Sequence, residues 1–156
     1  MEKQTKISEI QQKSDLQRRD FLQGSLGLFG VVPLCCGTPA LPSGSARYRD
    51  SILMIDLKQA PELRVGTAAA FVDPARKLDL IIARTGKDHF AVLERSCTHN
   101  GAQCTYNHKR HTVQCTSLNH AEYDLSGTLL HGRTHGNLRV YDAQCRGSVL
   151  EIRLGG

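Results

Sequence analysis

The chain contains no tryptophan, and aromatic residues make up only 5% of its 156 positions. Any core must therefore be filled by Leu, Val, Ile and Ala. Apolar residues reach 40%, enough for one domain plus an appendage. No apolar run is long enough to span a bilayer: residues 21–36 reach about 24 Å as a helix, against a hydrocarbon core of ~30 Å. Gly24, Gly27, Gly30 and Pro33 weaken that run further. Helix-turn-helix, zinc-finger-array and RNP signatures are all missing, which excludes nucleic acid as a partner despite a net charge of +5. That charge suits an acidic protein partner, or is simply a solvated surface. No flavin fingerprint is present, and no space remains for a second catalytic domain. The six cysteines, at positions 35, 36, 97, 104, 115 and 145, form no dense disulfide framework. Two of them share loops with histidine, which points to metal.

What is present centres on residues 96–127. Cys97-Thr98-His99 is answered by Cys115 and then His120. Each stretch offers one sulfur and one nitrogen, the set a two-iron cluster needs when thiolates hold one iron and imidazoles the other. Residues 100–114 between them suffice for strand, turn and strand. Zinc also accepts two Cys and two His, but its sites normally use longer gaps than the single residue between Cys97 and His99.

The rest of the chain divides at a linker. Residues 37–45 are rich in Gly, Pro and Ser, so residues 1–46 read as a leading segment with its linker and 47–156 as the domain. Within the domain the pattern is β. Strands are expected at 51–57 and 67–72, at 78–84 and 89–95 around a turn at 85–88, at 112–114, at 123–125 and 128–130 around Ser126-Gly127, and at 138–142 and 148–153 as a closing hairpin. Recurrence every 8 to 12 residues is the spacing of an antiparallel sandwich or barrel.

Near the N-terminus, Gln17-Arg18-Arg19-Asp20-Phe21-Leu22-Gln23 resembles a twin-arginine export signal: paired Arg, one spacer, Phe-Leu, then a weakly apolar helix. That route delivers folded proteins to the periplasm. Small residues at 38–40 and 44–46 suit cleavage. Retention as an anchor in the cytoplasmic membrane is the alternative, and Leu34 makes Cys35 a poor lipidation site.

The two loops and their surroundings resemble the Rieske iron–sulfur family, whose pattern is Cys-x-His, about fifteen to seventeen residues, then Cys-x-x-His. Cys97-Thr98-His99-Asn100-Gly101 matches the first loop, Cys115 falls at the right distance, and Tyr123-Asp124-Leu125-Ser126-Gly127 resembles the aromatic-Asp run after the second. The resemblance implies an all-β Rieske-like fold with a small cluster-binding part at about 96–136. It also implies a [2Fe–2S] cluster with Cys97 and Cys115 on a buried iron and His99 and His120 on an outer iron. The function implied is electron transfer as a subunit or shuttle rather than as a complete enzyme. Its partner would be a cytochrome, a quinol oxidoreductase or a molybdenum-type oxidoreductase such as an arsenite oxidase. The rival reading is an exported binding module holding zinc or no metal.

Several departures stand out. Leu118 occupies the family's second His position, and the first His comes at 120. Closure entropy does not forbid this: lengthening from three to five residue steps costs about 0.5 kcal/mol. Ala102 and Ser117 stand where a bracing disulfide would need Cys, and Glu122 replaces a Ser donor. Residues 132–136 replace a proline-rich loop. Losing the Ser donor and gaining Glu122 predicts a lowered potential. Tyr123 is expected in the core or as a hydroxyl donor to a cysteine sulfur, as the family suggests, and Leu118 as an exposed tip or a small packing residue. His108 and His111 read as a solvated hairpin tip, and His131 or His135 as a substitute ligand. Cys104 and Cys145 are left over, either as a disulfide or as buried free thiols.

Overall fold

The computed structural model describes residues 37–118 and 120–155. The paired arginines, the apolar run at 21–36 and Cys35 lie outside the described residues. Among those residues no helix is long and apolar enough to cross a membrane.

Strand β1 (Ala46–Arg49) turns back into β2 (Ile52–Asp56). Next come β3 (Ala68–Asp73), a single 3-10 turn (Pro74–Arg76), β4 (Leu78–Arg84) and β5 (Phe90–Glu94). A third group follows: β6 (Cys104–Asn107), β7 (Thr112–Cys115), β8 (Glu122–Asp124) and β9 (Leu129–His131). The chain closes with β10 (Val140–Tyr141), β11 (Ala143–Arg146) and β12 (Val149–Arg153). They assemble into three four-stranded antiparallel sheets, ordered β1-β2-β12-β11, β10-β5-β4-β3 and β6-β7-β8-β9.

Strand β4 shows why the sheets stack. Residues 80–83 form an unbroken apolar run, all fully buried. Side chains alternate across a strand, so Leu80 and Ile82 enter one core, with Leu53, Ile55, Val92, Leu150 and Ile152. Ile81 and Ala83 enter a second, with Leu93, Val113, Tyr123 and three cysteines. A strand buried on both faces reads as a continuous hydrophobic run. In contrast, β2 and β12 alternate buried with half-exposed positions, and their inward pairs Leu53–Ile152 and Ile55–Leu150 face each other.

Most expected strands are present, with three differences. Residues 46–49 form β1, an edge strand too polar to stand out. Residues 39–41 of the linker hydrogen-bond to Ala70 on β3 (Leu41 N to Ala70 O, 2.8 Å; Ala70 N to Pro39 O, 2.7 Å). The closing hairpin is also built differently. Ala143–Arg146 pairs with β12, while Val140–Tyr141 pairs with β5 in another sheet. The chain changes sheets at Asp142, whose carbonyl still accepts from Arg153 N at 2.9 Å. Composition marks 138–142 as a strand but cannot say which sheet receives it.

Two contacts fix the corners. Asp73 caps the 3-10 turn by accepting from Ala75 N (3.0 Å) and Arg76 N (3.3 Å). It also accepts from the Tyr48 hydroxyl of β1, and the Arg76 guanidinium lies 3.7 Å from the Tyr48 ring centroid. Burial, then the bond to Asp73, pushes the Tyr48 phenol from its ordinary 10.0 up to about 12. Tyr48 hydrogen bonding holds Asp73 below the usual carboxylate range. At the β8–β9 turn, Gly127 sits at φ +80, and an added Cβ would lie 2.3 Å from the Leu138 carbonyl oxygen.

A folded-state pKa raised above the unfolded one gives stability that is full below the unfolded value and lost as pH rises through the folded value. The thermal midpoint should therefore fall between pH 10.0 and about 12, and Tyr48→Phe should make that fall shallower when followed by circular dichroism. Gly127→Ala should cost ~2–4 kcal/mol, combining left-handed backbone strain with overpacking. Gly147→Ala, at φ +62 with nothing within 4 Å, should cost only about 1–2 kcal/mol in the same melt.

Candidate metal centre

The first loop is delivered by β5. Arg95, one residue past that strand, is 8% exposed and is held by Asp79 of β4, Nε to Oδ1, at 2.6 Å. Its amide donates to Asp79 O (2.7 Å), and its carbonyl accepts from Cys104 N (2.8 Å). Between these anchors the loop closes on itself. Cys97 N donates to Ala102 O and Gly101 N to Cys97 O, both at 2.8 Å, while Asn100 Oδ1 accepts from Ala102 N at 2.9 Å. Gly101 turns the chain at φ +72, a conformation that favours glycine.

The second loop spans the end of β7 and the start of β8. Cys115 N donates to Ala121 O at 2.8 Å, so the pairing of Gln114 with Glu122 continues by one residue and residues 116–120 form the loop. The longer spacing is thus absorbed as an ordinary hairpin tip. His120 is its last residue, exposed and at φ +44, with its amide donating to Ser117 O at 3.0 Å. Leu118 is 94% exposed, which makes it a bare apolar tip rather than a packing residue. The loop at 131–137 lies over this one. An added Cβ at Gly132, φ +98, would come 2.8 Å from Ala121 Cα.

Three of the four expected ligands meet. Cys97 and Cys115 are buried at 2% and 3% exposure. His99 places Nδ1 2.8 Å from Cys97 Sγ and Nε2 3.1 Å from Ser117 Oγ. Ser117 Oγ also lies 3.1 Å from Cys115 Sγ. One donor chain satisfies all three contacts: the Cys97 thiol donates to His99 Nδ1, His99 Nε2–H donates to Ser117 Oγ, and the Ser117 hydroxyl donates to Cys115 Sγ. The Nδ1 lone pair is then the one a metal would take once Cys97 is a thiolate. A second N–H fixed by an oxygen acceptor is the usual way a ligating imidazole is oriented. Among the described residues, the group whose ligand atoms all lie within 4.8 Å of one another is Cys97, Cys104 and Cys115. It leaves out both imidazoles, but His99 still touches Cys97, whereas His120 stands apart.

Tyr123 is both core residue and donor. It is fully buried, with its hydroxyl 3.2 Å from Cys97 Sγ and 3.2 Å from Thr98 Oγ1. Thr98 donates its own proton to Gly136 O at 3.1 Å, so the single phenol proton is shared between Thr98 Oγ1 and Cys97 Sγ and swings to the sulfur when Cys97 is a thiolate. Burial, then the contact with Cys97, pushes Tyr123 above its ordinary range, which keeps that proton in place. Glu122 carries less free charge than its sequence position implies: it is 6% exposed, and Arg110 Nη2 lies 2.8 Å from its Oε2. Ser117 supplies a donor that the sequence reading missed, two residues after Cys115 and five before position 122, where a Ser was looked for.

The leftover cysteines are not a pair. Both are free; Cys145 lies on β11 beside the first core, whereas Cys104 is fully buried in the second. Burial, then the neighbouring Cys97 and Cys115, pushes the Cys104 thiol well up. The β6–β7 register is what reveals this placement. Counting three residues outward from the Asn107–Thr112 pair at the hairpin tip reaches Cys104 opposite Cys115. His108 and His111 do lie at that exposed tip, ring centroids 5.3 Å apart. His131, on β9 opposite Glu122, and His135 are exposed and outside the thiol group.

The donor set suits a [2Fe–2S] cluster: two buried thiols for one iron, an imidazole nitrogen beside them for the other, and hydroxyl donors aimed at both sulfurs. No family model matches the sequence, and no curated protein matches it. Solved structures do. The ferredoxin of carbazole 1,9a-dioxygenase from Nocardioides aromaticivorans IC177 aligns with a TM-score of 0.54 and 18% identity, over 65% of this chain and 95% of that one. The plasma membrane Rieske protein PetC3 of the cyanobacterium Synechocystis PCC 6803 aligns at 0.47 and 22%, over 55% of this chain and 85% of that one. NdmA of Pseudomonas putida CBB5, with caffeine, aligns at 0.42 and 19%, over 51% of this chain and 25% of that one.

Proposed function

We propose that this chain, all-β and Rieske-like in architecture as its sequence predicts, is a Rieske-type electron-transfer protein, or the electron-transfer subunit of an exported oxidoreductase, holding a [2Fe–2S] cluster on Cys97, His99, Cys115 and His120. The observation that carries this reading is the meeting of two buried thiols with an imidazole whose far nitrogen is already anchored. Bound there, the cluster supplies one-electron redox chemistry.

The chain's own residues set potential and access. Tyr123 donates to Cys97 and Ser117 to Cys115; both favour the more electron-rich state and raise the potential. Arg110 offsets the charge of Glu122, so that carboxylate lowers the potential less than an unpaired one. His120 and Leu118 share the exposed tip, where a partner would make contact. The left-handed backbone at His120 costs about 1–2 kcal/mol, and strain retained at a loop tip points to use. A ligand role for His120 would be that use.

The N-terminal arginine pair supports export by the twin-arginine route, which carries proteins folded around their cofactors. The periplasm is the destination, with anchoring at the cytoplasmic membrane where the segment is kept. The partner is a redox protein with an acidic face, of the cytochrome, quinol oxidoreductase or molybdenum-type oxidoreductase class. The position of His120 outside the thiol group favours a second reading, an exported module holding zinc or no metal.

Full-length protein from iron-replete cells should be reddish-brown, carry iron and acid-labile sulfide, and give a rhombic paramagnetic signal after dithionite reduction. A colourless protein containing only zinc overturns the electron-transfer reading. His120→Ala should strip most of the iron, and unchanged iron content would reassign the fourth ligand. Tyr123→Phe should lower the midpoint potential by ~40 mV, the equivalent of one hydrogen bond of ~1 kcal/mol in a one-electron couple.

A further inference from the structure

Strands β6 and β7 place Cys104 directly opposite Cys115. The bonds around this pair define its kind. Cys104 N donates to Arg95 O, Cys115 N to Ala121 O, and Thr116 N to Gln103 O. The two cysteines therefore exchange no backbone bonds with each other and form the closer type of antiparallel pair, with Cα atoms about 4.5 Å apart. Cys97 comes from the other loop to the same point. The result is a buried triangle of sulfurs, all within 4.8 Å of one another. His99 Nδ1 touches the Cys97 corner at 2.8 Å but lies outside the shared distance of the triangle.

A two-iron cluster does not use that triangle. Two of the four positions on its inner iron belong to bridging sulfides, leaving room for two cysteines. A single tetrahedral cation does use it: metal–sulfur bonds of about 2.3 Å put ligand sulfurs roughly 3.8 Å apart, and three Cys with one His is a complete structural set. The fourth position needs an oriented imidazole, and Ser117 Oγ, 3.1 Å from His99 Nε2, supplies the orientation.

We propose that Cys97, Cys104 and Cys115, with the neighbouring His99 turning in as fourth ligand, form a second, mononuclear binding mode of this pocket, for one thiophilic divalent cation of the zinc class. This goes beyond the electron-transfer reading and shares three of its residues, so the two occupancies exclude each other. Cys104 belongs to this mode alone. Each thiol binds as thiolate and gives its proton to solvent, up to three per cation. His120 takes no part.

The test uses cobalt(II) as a coloured probe on the purified full-length chain, stripped of metal and reduced, with zinc as competitor. Wild-type protein should bind one cobalt per chain, show sulfur-to-cobalt charge-transfer absorption, and release cobalt to zinc. Cys104→Ser and Cys104→Ala should each lose about one third of that absorption per cobalt, as three thiolates become two. Their zinc affinity should fall by at least the ~10–100-fold that loss of an outer-shell partner costs. Cys145→Ser should change neither quantity. Circular dichroism checks that each variant folds. Unchanged absorption and affinity in both Cys104 variants, or a folded wild type that binds no cobalt, overturns the proposal. Iron and sulfide in untreated protein report the cluster separately. A cluster-bearing wild type with indifferent Cys104 variants sinks only this inference, while a cluster-free chain with the one-third loss sinks only the electron-transfer reading.

Discussion

Two backbone hydrogen bonds carry the metal centre: Cys97 N to Ala102 O and Cys115 N to Ala121 O, each 2.8 Å. Each closes a loop at the base where its cysteine sits, so each sulfur hangs from a rigid stem rather than a free tip. The stems are tied together by Thr116, whose amide and hydroxyl both donate to Gln103 O, at 3.0 and 2.8 Å. Buried backbone groups need partners, and here satisfying them also sets the sulfur-to-sulfur separation. The bracing disulfide absent from this chain would have joined positions 102 and 117. Its clamping task falls instead to Thr116–Gln103 and to the loop at 131–137, which reaches across through the Thr98–Gly136 bond. Such bonds contribute about 1 kcal/mol each, less than a typical disulfide, but they need no oxidising compartment.

The electrostatics follow from which polar groups are near the sulfurs. Tyr123 and Ser117 each direct a hydroxyl at one cysteine, and Glu122 is held by Arg110 from the turn between β6 and β7. Glu122 Oε1 is nevertheless buried without a partner, and Arg110 is itself largely exposed, so the pair is unequal: a buried carboxylate neutralised from outside.

Much of this was legible in the residues. Alternation in 52–56 and 149–153, the turn residues at 85–88 and 126–127, and the unbroken apolar run at 80–83 each announce their strands, because burial follows side-chain period. The approach of His99 to Cys97, and of Cys97 to Cys115, follows the spacing of the two loops. The misses share one cause: sequence shows what a segment is but not whom it meets. Val140–Tyr141 is strand-like whichever sheet it joins, and Cys104 is an unremarkable buried thiol until the β6–β7 register puts it against Cys115. Ser117 became a sulfur donor only because the five-residue tip folds back, and Glu122 was readable as a charge while its partner Arg110, twelve positions earlier, was not.

The extra length of the second loop and the third thiol belong to one argument. A Cys-x-x-His loop places its imidazole close to the metal by covalent proximity. Here residues 116–120 form a full hairpin tip, and the imidazole at 120 is held by a left-handed backbone rather than by reach. Covalent proximity has therefore weakened on the solvent side of the pocket. On the protein side the opposite has happened, since Cys104 adds a ligand-type atom fixed by strand pairing, the most rigid placement available. If His120 and Cys104 both serve as ligands, as proposed above, the site discriminates among metals less by ligand identity than by which positions a given metal can fill.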